Sequence, residues 1–214
     1  MNERTFRPHD AHKLDDPERL VWLPVDEIIS HLHIKLGSTI ADIGAGTGYF
    51  SVPFAKAVGN AGKVLAVDFQ KEMLALIREK LGRLGTPANI GLVEGDAART
   101  GLANESCDVV FMANTWHELD DHPEVLKESA RILHADGVLA IIDWRADLQS
   151  PPGPPREHRV SLKEVESTLL HNEWSILSAT AVGRFSYLIL ASNARKPLAV
   201  PALSSFHTDI TEDI

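Results

Sequence analysis

The sequence predicts an α/β protein built on a doubly wound, mostly parallel sheet of seven strands that closes in an antiparallel hairpin; three observations carry the prediction. Strand-length apolar runs alternate with helix-patterned segments from Thr39 to His171. The stretch GVLAIIDW, Gly137 to Trp144, is apolar almost throughout, as expected of a parallel strand covered by helices on both faces. Ser175 to Val182 and Ser186 to Ser192 flank Gly183-Arg184, which reads as a hairpin.

Taken in order, Asp16-Pro17 starts a helical turn, Val25 to His33 a helix and Thr39 to Ile43 the first strand. A helix over Gly48 to Val58 leads to a strand at Val64 to Asp68. Met73, Leu74, Ile77 and Leu81 recur at helical spacing in Gln70 to Leu84, which Gly85 closes. Ile90 to Glu94 and Asp108 to Ala113 are short strands, and His122 to Leu133 is a helix with Pro123 in its first turn. Four prolines keep Gln149 to Arg159 from being a regular helix, so an extended loop is expected there. Ser161 and Glu164 have the spacing of a capping box that opens a helix to about His171.

The chain divides into an arm and helix at 1–36, expected to act as a lid, a ligand-binding domain at 37–192, and a tail at 193–214 whose lack of periodicity suggests disorder. Its 214 residues, 44% hydrophobic, suffice for one core. With 21 Lys and Arg against 30 Asp and Glu, the net charge is −9 and no basic track invites nucleic acid. Cys107 stands alone, which removes a disulfide framework and fits a reducing cytoplasm. No apolar leader or run long enough to span a membrane is visible. The edge hairpin leaves pairing into a homodimer open.

The stretch ADIGAGTGYFS, Ala41 to Ser51, puts glycines at 44, 46 and 48 directly after the first strand. Glycines there let backbone approach a ligand, and the following helix offers unpaired N–H groups. A dinucleotide loop would want its third glycine where Tyr49 stands. Asp42, two residues before Gly44, repels a pyrophosphate and attracts a cation. Asp68 ends the second strand, where a carboxylate accepts ribose hydroxyls from either ligand class. Asp96, in EGDAA, follows the third strand as either a base-contacting residue or an ordinary turn aspartate. A nicotinamide oxidoreductase and a non-catalytic cofactor-binding protein remain the rival classes.

On the segments ADIGAGTG, VLAVD, EGDAA, DVVFMANTWHEL and RILHADGVLAIIDW, the chain resembles class I S-adenosylmethionine-dependent methyltransferases from about Leu36 to Ser192. The resemblance implies a Rossmann-like sheet and S-adenosylmethionine as cofactor, with S-adenosylhomocysteine as product. It implies that Asp42 with Gly44, Ala45, Gly46, Thr47 and Gly48 holds the methionine end. Asp68 would take the ribose, Asp96 and Ala97 the adenine, Phe69 and Met73 its ring face, and Asn114 would lie near the sulfonium. HDAHKLDDPERLVWLP is similar to the N-terminal segment of a group of small bacterial and archaeal methyltransferases. Ubiquinone and menaquinone C-methyltransferases form the broader neighbourhood.

His117, in NTWHELDDH, is the candidate proton acceptor, since imidazole titrates near neutral pH. The bland alternative is that His117 and Glu118 only fix the loop. His12, Trp116 and Trp144 are candidate walls of an acceptor pocket, core packing being the alternative for either tryptophan, and Trp22 with Pro24 is expected to dock the arm as a lid. His31 and His33 point to different helix faces, and His9, Asp10 and His12 lack a further ligand, so no metal is expected. The tetrapeptide Asn114-Thr115-Trp116-His117 differs from the Asn-Pro-Pro-aromatic loop of base-methylating enzymes, and a small-molecule acceptor is expected.

Overall fold

The computed structural model describes residues 5–85, 89–148 and 153–193. Helices α1 (Arg19–Trp22) and α2 (Val25–His31) precede the sheet. Then follow β1 (Thr39–Ile43), α3 (Ser51–Val58), β2 (Lys63–Asp68), α4 (Lys71–Leu84) and β3 (Ile90–Glu94). The chain continues through β4 (Cys107–Ala113), α5 (His122–Ile132), β5 (Leu133–Trp144), α6 (Leu162–His171), β6 (Trp174–Val182) and β7 (Ser186–Asn193).

The seven strands lie in the order β3-β2-β1-β4-β5-β7-β6. The first five in that order are parallel, whereas β7 runs antiparallel to both β5 and β6. The strand order reverses between β1 and β4, so their carboxyl ends open a crevice, the position at which such sheets take ligands.

Continuous apolar runs make sense because both faces of the sheet are covered. Ala41, Ile43, Val110, Met112, Leu139 and Ile141 face one side, packed with Val125, Leu126, Val165 and Leu169 of α5 and α6. Alternate residues Ile40, Val109, Phe111, Ala140 and Ile142 face the other, against Val25 and Ile28 of α2 and Phe54, Ala55 and Val58 of α3. Phe111 meets Phe50 and Phe54 edge-on, each with ring centroids 4.8 Å apart. A third cluster seats Leu74 and Ile77 of α4 on Ala66 and Ala45, drawing α4 against the glycine loop.

Local signals account for most boundaries. The capping box closes as expected, Ser161 N–H donating to Glu164 at 2.8 Å and Glu164 N–H to Ser161 Oγ at 3.3 Å. Asp121 caps α5 by accepting Glu124 N–H at 3.1 Å, with Pro123 in the first turn. Gly85 ends α4 at φ +58.

Several expectations need correction. The helix after the glycine loop starts at Ser51, not Gly48, because Gly48 has φ +75 and cannot lie within a right-handed turn. α2 ends at His31, and His33 sits at φ +49 beyond it. β5 begins at Leu133, with a register irregularity between its pairings to Cys107 and Val109. Pro8–Asp15 forms 3₁₀ turns that no apolar period announces, Ala11 being its one buried residue. Of the proline-rich loop, 149–152 lie outside the described residues, and Arg156–His158 is a 3₁₀ turn. Residue 193 closes β7 opposite Trp174; the rest of the expected tail, 194–214, lies outside the described residues.

Candidate active site at the strand ends

The glycine loop leaves β1 with Gly44, Gly46 and Gly48 all at positive φ. At Gly44 a side chain is also excluded sterically, and at Gly46 it would be tight. A Cβ at Gly44 would come 2.4 Å from Thr115 Oγ1, and one at Gly46 would meet Leu14 Cδ1 at 3.2 Å. Gly44 and Ala45 donate their N–H groups to Val67 C=O at 2.8 and 3.1 Å, which fastens the loop to β2.

Asp42 and Asp68, both buried, stand beneath this loop at the ends of β1 and β2. Ser51 Oγ donates to Asp42 at 2.5 Å. Burial pushes Asp42 up to about 7, the nearby Asp68 adds to the rise, and the Ser51 bond and Arg19 oppose it. Asp68 accepts Gly46 N–H and Gln70 N–H, both at 2.9 Å, one on each oxygen. Burial raises Asp68 as well, and those two bonds hold it down. Each oxygen keeps a further lone pair for an incoming hydroxyl.

Beyond β2, Phe69 is 48% exposed while Met73 is buried in the first turn of α4. Asp96 is exposed and caps its own turn by accepting Ala98 N–H at 2.8 Å; Ala97 is half-buried against the core. After β4, Asn114 adopts φ +55 and donates its N–H to Ile142 C=O at 2.8 Å. Its side-chain Oδ1 is buried and accepts nothing among the described residues. The loop then makes a 3₁₀ turn, Trp116–Glu118.

That turn separates the two aromatic candidates. Trp116 is fully buried in the core cluster and stacks on His122 at 4.3 Å, so it walls no pocket. His117 turns instead toward Asp143 at the end of β5, its Nδ1 2.8 Å from Asp143 Oδ1. Facing a carboxylate, Nδ1 carries the proton and Nε2 is the basic nitrogen. Glu118 Oε1 lies 4.0 Å from that Nε2. Burial lifts Glu118 to about 7, against the pull of the Phe6 N–H bond and His117.

The N-terminal arm lies across these groups. Phe6 N–H donates to Glu118 Oε2 at 3.1 Å, and Gln70 Nε2 donates to Phe6 C=O at 3.0 Å. Thr47 Oγ1 donates to Asp15 at 2.9 Å, and Lys80 Nζ bridges Asp15 and Thr47 C=O at 2.6 Å each. Tyr49, in the place of the missing third glycine, donates its hydroxyl to Leu23 C=O at 3.0 Å and lies under the Arg19 guanidinium. Trp22 packs on Trp144 at 5.2 Å, and Trp144 also meets Gly153 of the proline-rich loop. Pro24 abuts Gly183 of the hairpin. His12, by contrast, is exposed on the 3₁₀ segment and does not join the others. Asp10 there pairs with Lys13 at 2.6 Å and His9 at 3.1 Å.

The site therefore unites Asp42, the glycine loop, Asp68, Asn114 and His117, and adds Arg19, Gln70, Glu118 and Asp143. Asp143 and Glu118 follow strand or loop motifs already singled out; Arg19, between Glu18 and the apolar Leu20, Val21 and Trp22, carries no such signal.

Residues 41–141 match the methyltransferase domain family. A solved SAM-dependent methyltransferase from Aquifex aeolicus is 33% identical, with a TM-score of 0.83 over 87% of this chain and 98% of its own. This chain belongs to the S-adenosylmethionine-dependent methyltransferases. The ubiquinone/menaquinone biosynthesis C-methyltransferase of Haemophilus ducreyi is 30% identical to this methyltransferase over 118 residues, 55% of this chain and 46% of its own. The demethylmenaquinone methyltransferase of Lactobacillus johnsonii is 33% identical over 112 residues, 52% of this chain and 46% of its own. The chain thus spans about half the length of the curated relatives it matches.

S-adenosylmethionine is the cofactor of this methyltransferase family, and the residues present fit it. The orphaned Asn114 Oδ1 wants a donor or a positive neighbour, and Asp68 has acceptor capacity to spare. Asp42, buried beneath the loop, is more stable beside a cation than alone.

Proposed function

We propose that this protein methylates a small-molecule acceptor bound between the loop after β4, the end of β5 and the N-terminal arm. The observation that carries the reading is the pair of buried carboxylates, Asp42 and Asp68, under a glycine loop. They ask for a ligand that is cationic at one end and hydroxylated at the other, and disfavour a diphosphate.

In this reading Asp42 and the backbone of Gly44 to Gly48 hold the amino-acid end of the cofactor and Asp68 its ribose. Asp96 and Ala97 take the adenine, Phe69 and Met73 cover the ring, and Asn114 Oδ1 faces the sulfonium. Bound there, the cofactor supplies a methyl group on a cationic sulfur, transferred by in-line displacement. Holding an acceptor in line is worth ~7–11 kcal/mol. A base adds about 3–5 kcal/mol and only if the acceptor must lose a proton. The arm, as a lid, excludes water while Trp144 and Trp22 flank the acceptor space.

His117 is the proton acceptor of this proposal, oriented by Asp143. The two relatives named for quinone biosynthesis make a hydroxylated aromatic ring the first acceptor class to try, with His117 taking a ring hydroxyl's proton. Calorimetry should give S-adenosylhomocysteine binding and no NAD binding. Methyl release should then be followed over a metabolite panel that includes short-chain demethylated quinols. Binding of NAD in preference to S-adenosylhomocysteine would overturn the reading; cofactor binding without turnover of any acceptor would favour a non-catalytic role.

A further inference from the structure

Arg19 is an unusual residue to find buried. It is 5% exposed, it comes from the four-residue α1 of the arm, and among the described residues no carboxylate lies within ion-pair distance of it. Its Nη1 donates to Leu14 C=O at 2.8 Å, while its Nε is buried and donates to nothing among those residues. A guanidinium removed from water without a counter-charge is costly, and native structures rarely leave one so. Burial drags it down to about 10, with Asp15 and Asp42 pulling it back only through space.

Its position is specific. The guanidinium carbon sits 4.3 Å from the centre of the Tyr49 ring, directly after the glycine loop. Leu14 and Asp15, just before it in the arm, touch Gly46 and Thr47. The other cation at this loop, Lys80, is already bonded to Asp15 and Thr47 C=O. Buried Asp42 therefore lies on the strand side of the loop and an unpaired cation on the arm side. A ligand end bearing both an ammonium and a carboxylate matches that pair in sign and order.

We propose that Arg19 is the carboxylate receptor of the site, binding the α-carboxylate of the cofactor's amino-acid end while Asp42 takes its ammonium. The assignment rests on the cofactor reading above and deepens it. It makes the arm part of the cofactor site, so that a ligand lacking the carboxylate leaves the arm without its ionic partner. The planar fork of arginine suits a carboxylate better than lysine would.

The test compares two ligands by calorimetry or competition: S-adenosylhomocysteine, which has the carboxylate, and 5′-methylthioadenosine, which lacks the whole amino-acid end. Arg19→Met should weaken S-adenosylhomocysteine about tenfold or more and methylthioadenosine by less than about twofold. Arg19→Lys should fall between. Equal losses for both ligands, or no loss for either, overturn the inference and leave Arg19 as an anchor of the arm. Should Arg19→Met not fold, the unaltered protein is titrated with the carboxamide of S-adenosylhomocysteine; about tenfold weaker binding supports the inference, and undiminished binding overturns it. Failure of the unaltered protein to bind S-adenosylhomocysteine overturns the cofactor reading itself, a result distinct from either.

Discussion

His117 Nδ1 lies 2.8 Å from one oxygen of Asp143, whose other oxygen accepts the backbone N–H of His117 itself at 2.9 Å. One carboxylate thus fixes both the ring and the peptide that carries it. Asp143 is fully buried and also accepts Trp144 N–H at 2.7 Å, so it keeps two backbone donors if the imidazole is removed. His117→Ala should therefore fold, at a cost of about 1–3 kcal/mol for the lost charge-assisted bond.

If the ring takes the acceptor's proton, His117→Ala and Asp143→Asn should each lower turnover by ~10²–10⁴ while S-adenosylhomocysteine binds within a few fold of normal. Turnover of His117→Ala unchanged from pH 6 to 9, with cofactor still bound, would leave His117 as a loop-fixing residue.

Burial lifts Asp42 from its usual 3.8 to about 7, and Glu118 from 4.5 to about 7. A carboxyl raised by folding stabilises the protein in full below its unfolded value and loses that contribution as pH climbs through the folded one. The ligand-free protein should accordingly lose stability between about pH 4 and 7 from these two groups, Asp42 supplying about 2–4 kcal/mol of the fall. Urea midpoints of Asp42→Asn should fall less across that window than those of the parent. A cationic ligand favours the ionised carboxylate, so affinity for S-adenosylhomocysteine should rise through pH 7 and the variant should flatten the rise. Parallel curves for parent and variant would contradict both halves.

The strands were legible because their faces are both buried: VLAVD and GVLAIIDW have no polar alternation to misread. Asp42 and Asp68 stood out for the same reason, as charges ending apolar runs. The first four residues of β5 are hidden because His134-Ala135-Asp136-Gly137 has turn composition, yet Leu133 pairs with Cys107. The arm was opaque in a different way. Phe6 reaches Glu118 across 112 positions through a backbone N–H, a donor that every residue except proline carries. For Trp116 the sequence leaves pocket wall and core packing both open, because nothing local tells which side of a 3₁₀ turn faces the core. Arg19 is not legible at all, since burial without an ion pair leaves no pattern in sequence.

The arm's own contribution is testable by cutting after Asp15. Leu23 is fully buried in the core, so a longer deletion would damage the fold itself. The shorter cut removes the Phe6 bonds to Glu118 and Gln70, the Thr47 and Lys80 bonds to Asp15 and the Leu14 C=O to which Arg19 donates, but keeps Arg19 and Trp22 themselves. These five bonds at ~0.5–1.5 kcal/mol each, offset by the entropy of ordering the arm, should raise the S-adenosylhomocysteine dissociation constant about 5- to 50-fold, chiefly through faster release. An unchanged dissociation constant would deny the arm a role as a lid.

Gly44 offers a sharper separation of strain from contact. Alanine there would suffer twice: from φ +70, and from a Cβ 2.4 Å from Thr115 Oγ1 and 2.7 Å from its Cγ2. The left-handed backbone costs a non-glycine residue ~1–2 kcal/mol, whatever its neighbours do. The clash, in contrast, depends on Thr115, whose hydroxyl is held by donation to Ala113 C=O at 3.2 Å. Gly44→Ala should thus destabilise the fold by about 2–4 kcal/mol. Adding Thr115→Ala removes both close atoms and leaves Cβ at 3.1 Å, so the double variant should recover the steric share and retain the conformational one. Cofactor affinity should recover less than stability, because the peptide of Gly44, anchored on Val67 C=O, sets the direction of the loop that follows. A double variant no more stable than Gly44→Ala would mean that the contact with Thr115 is not what requires glycine.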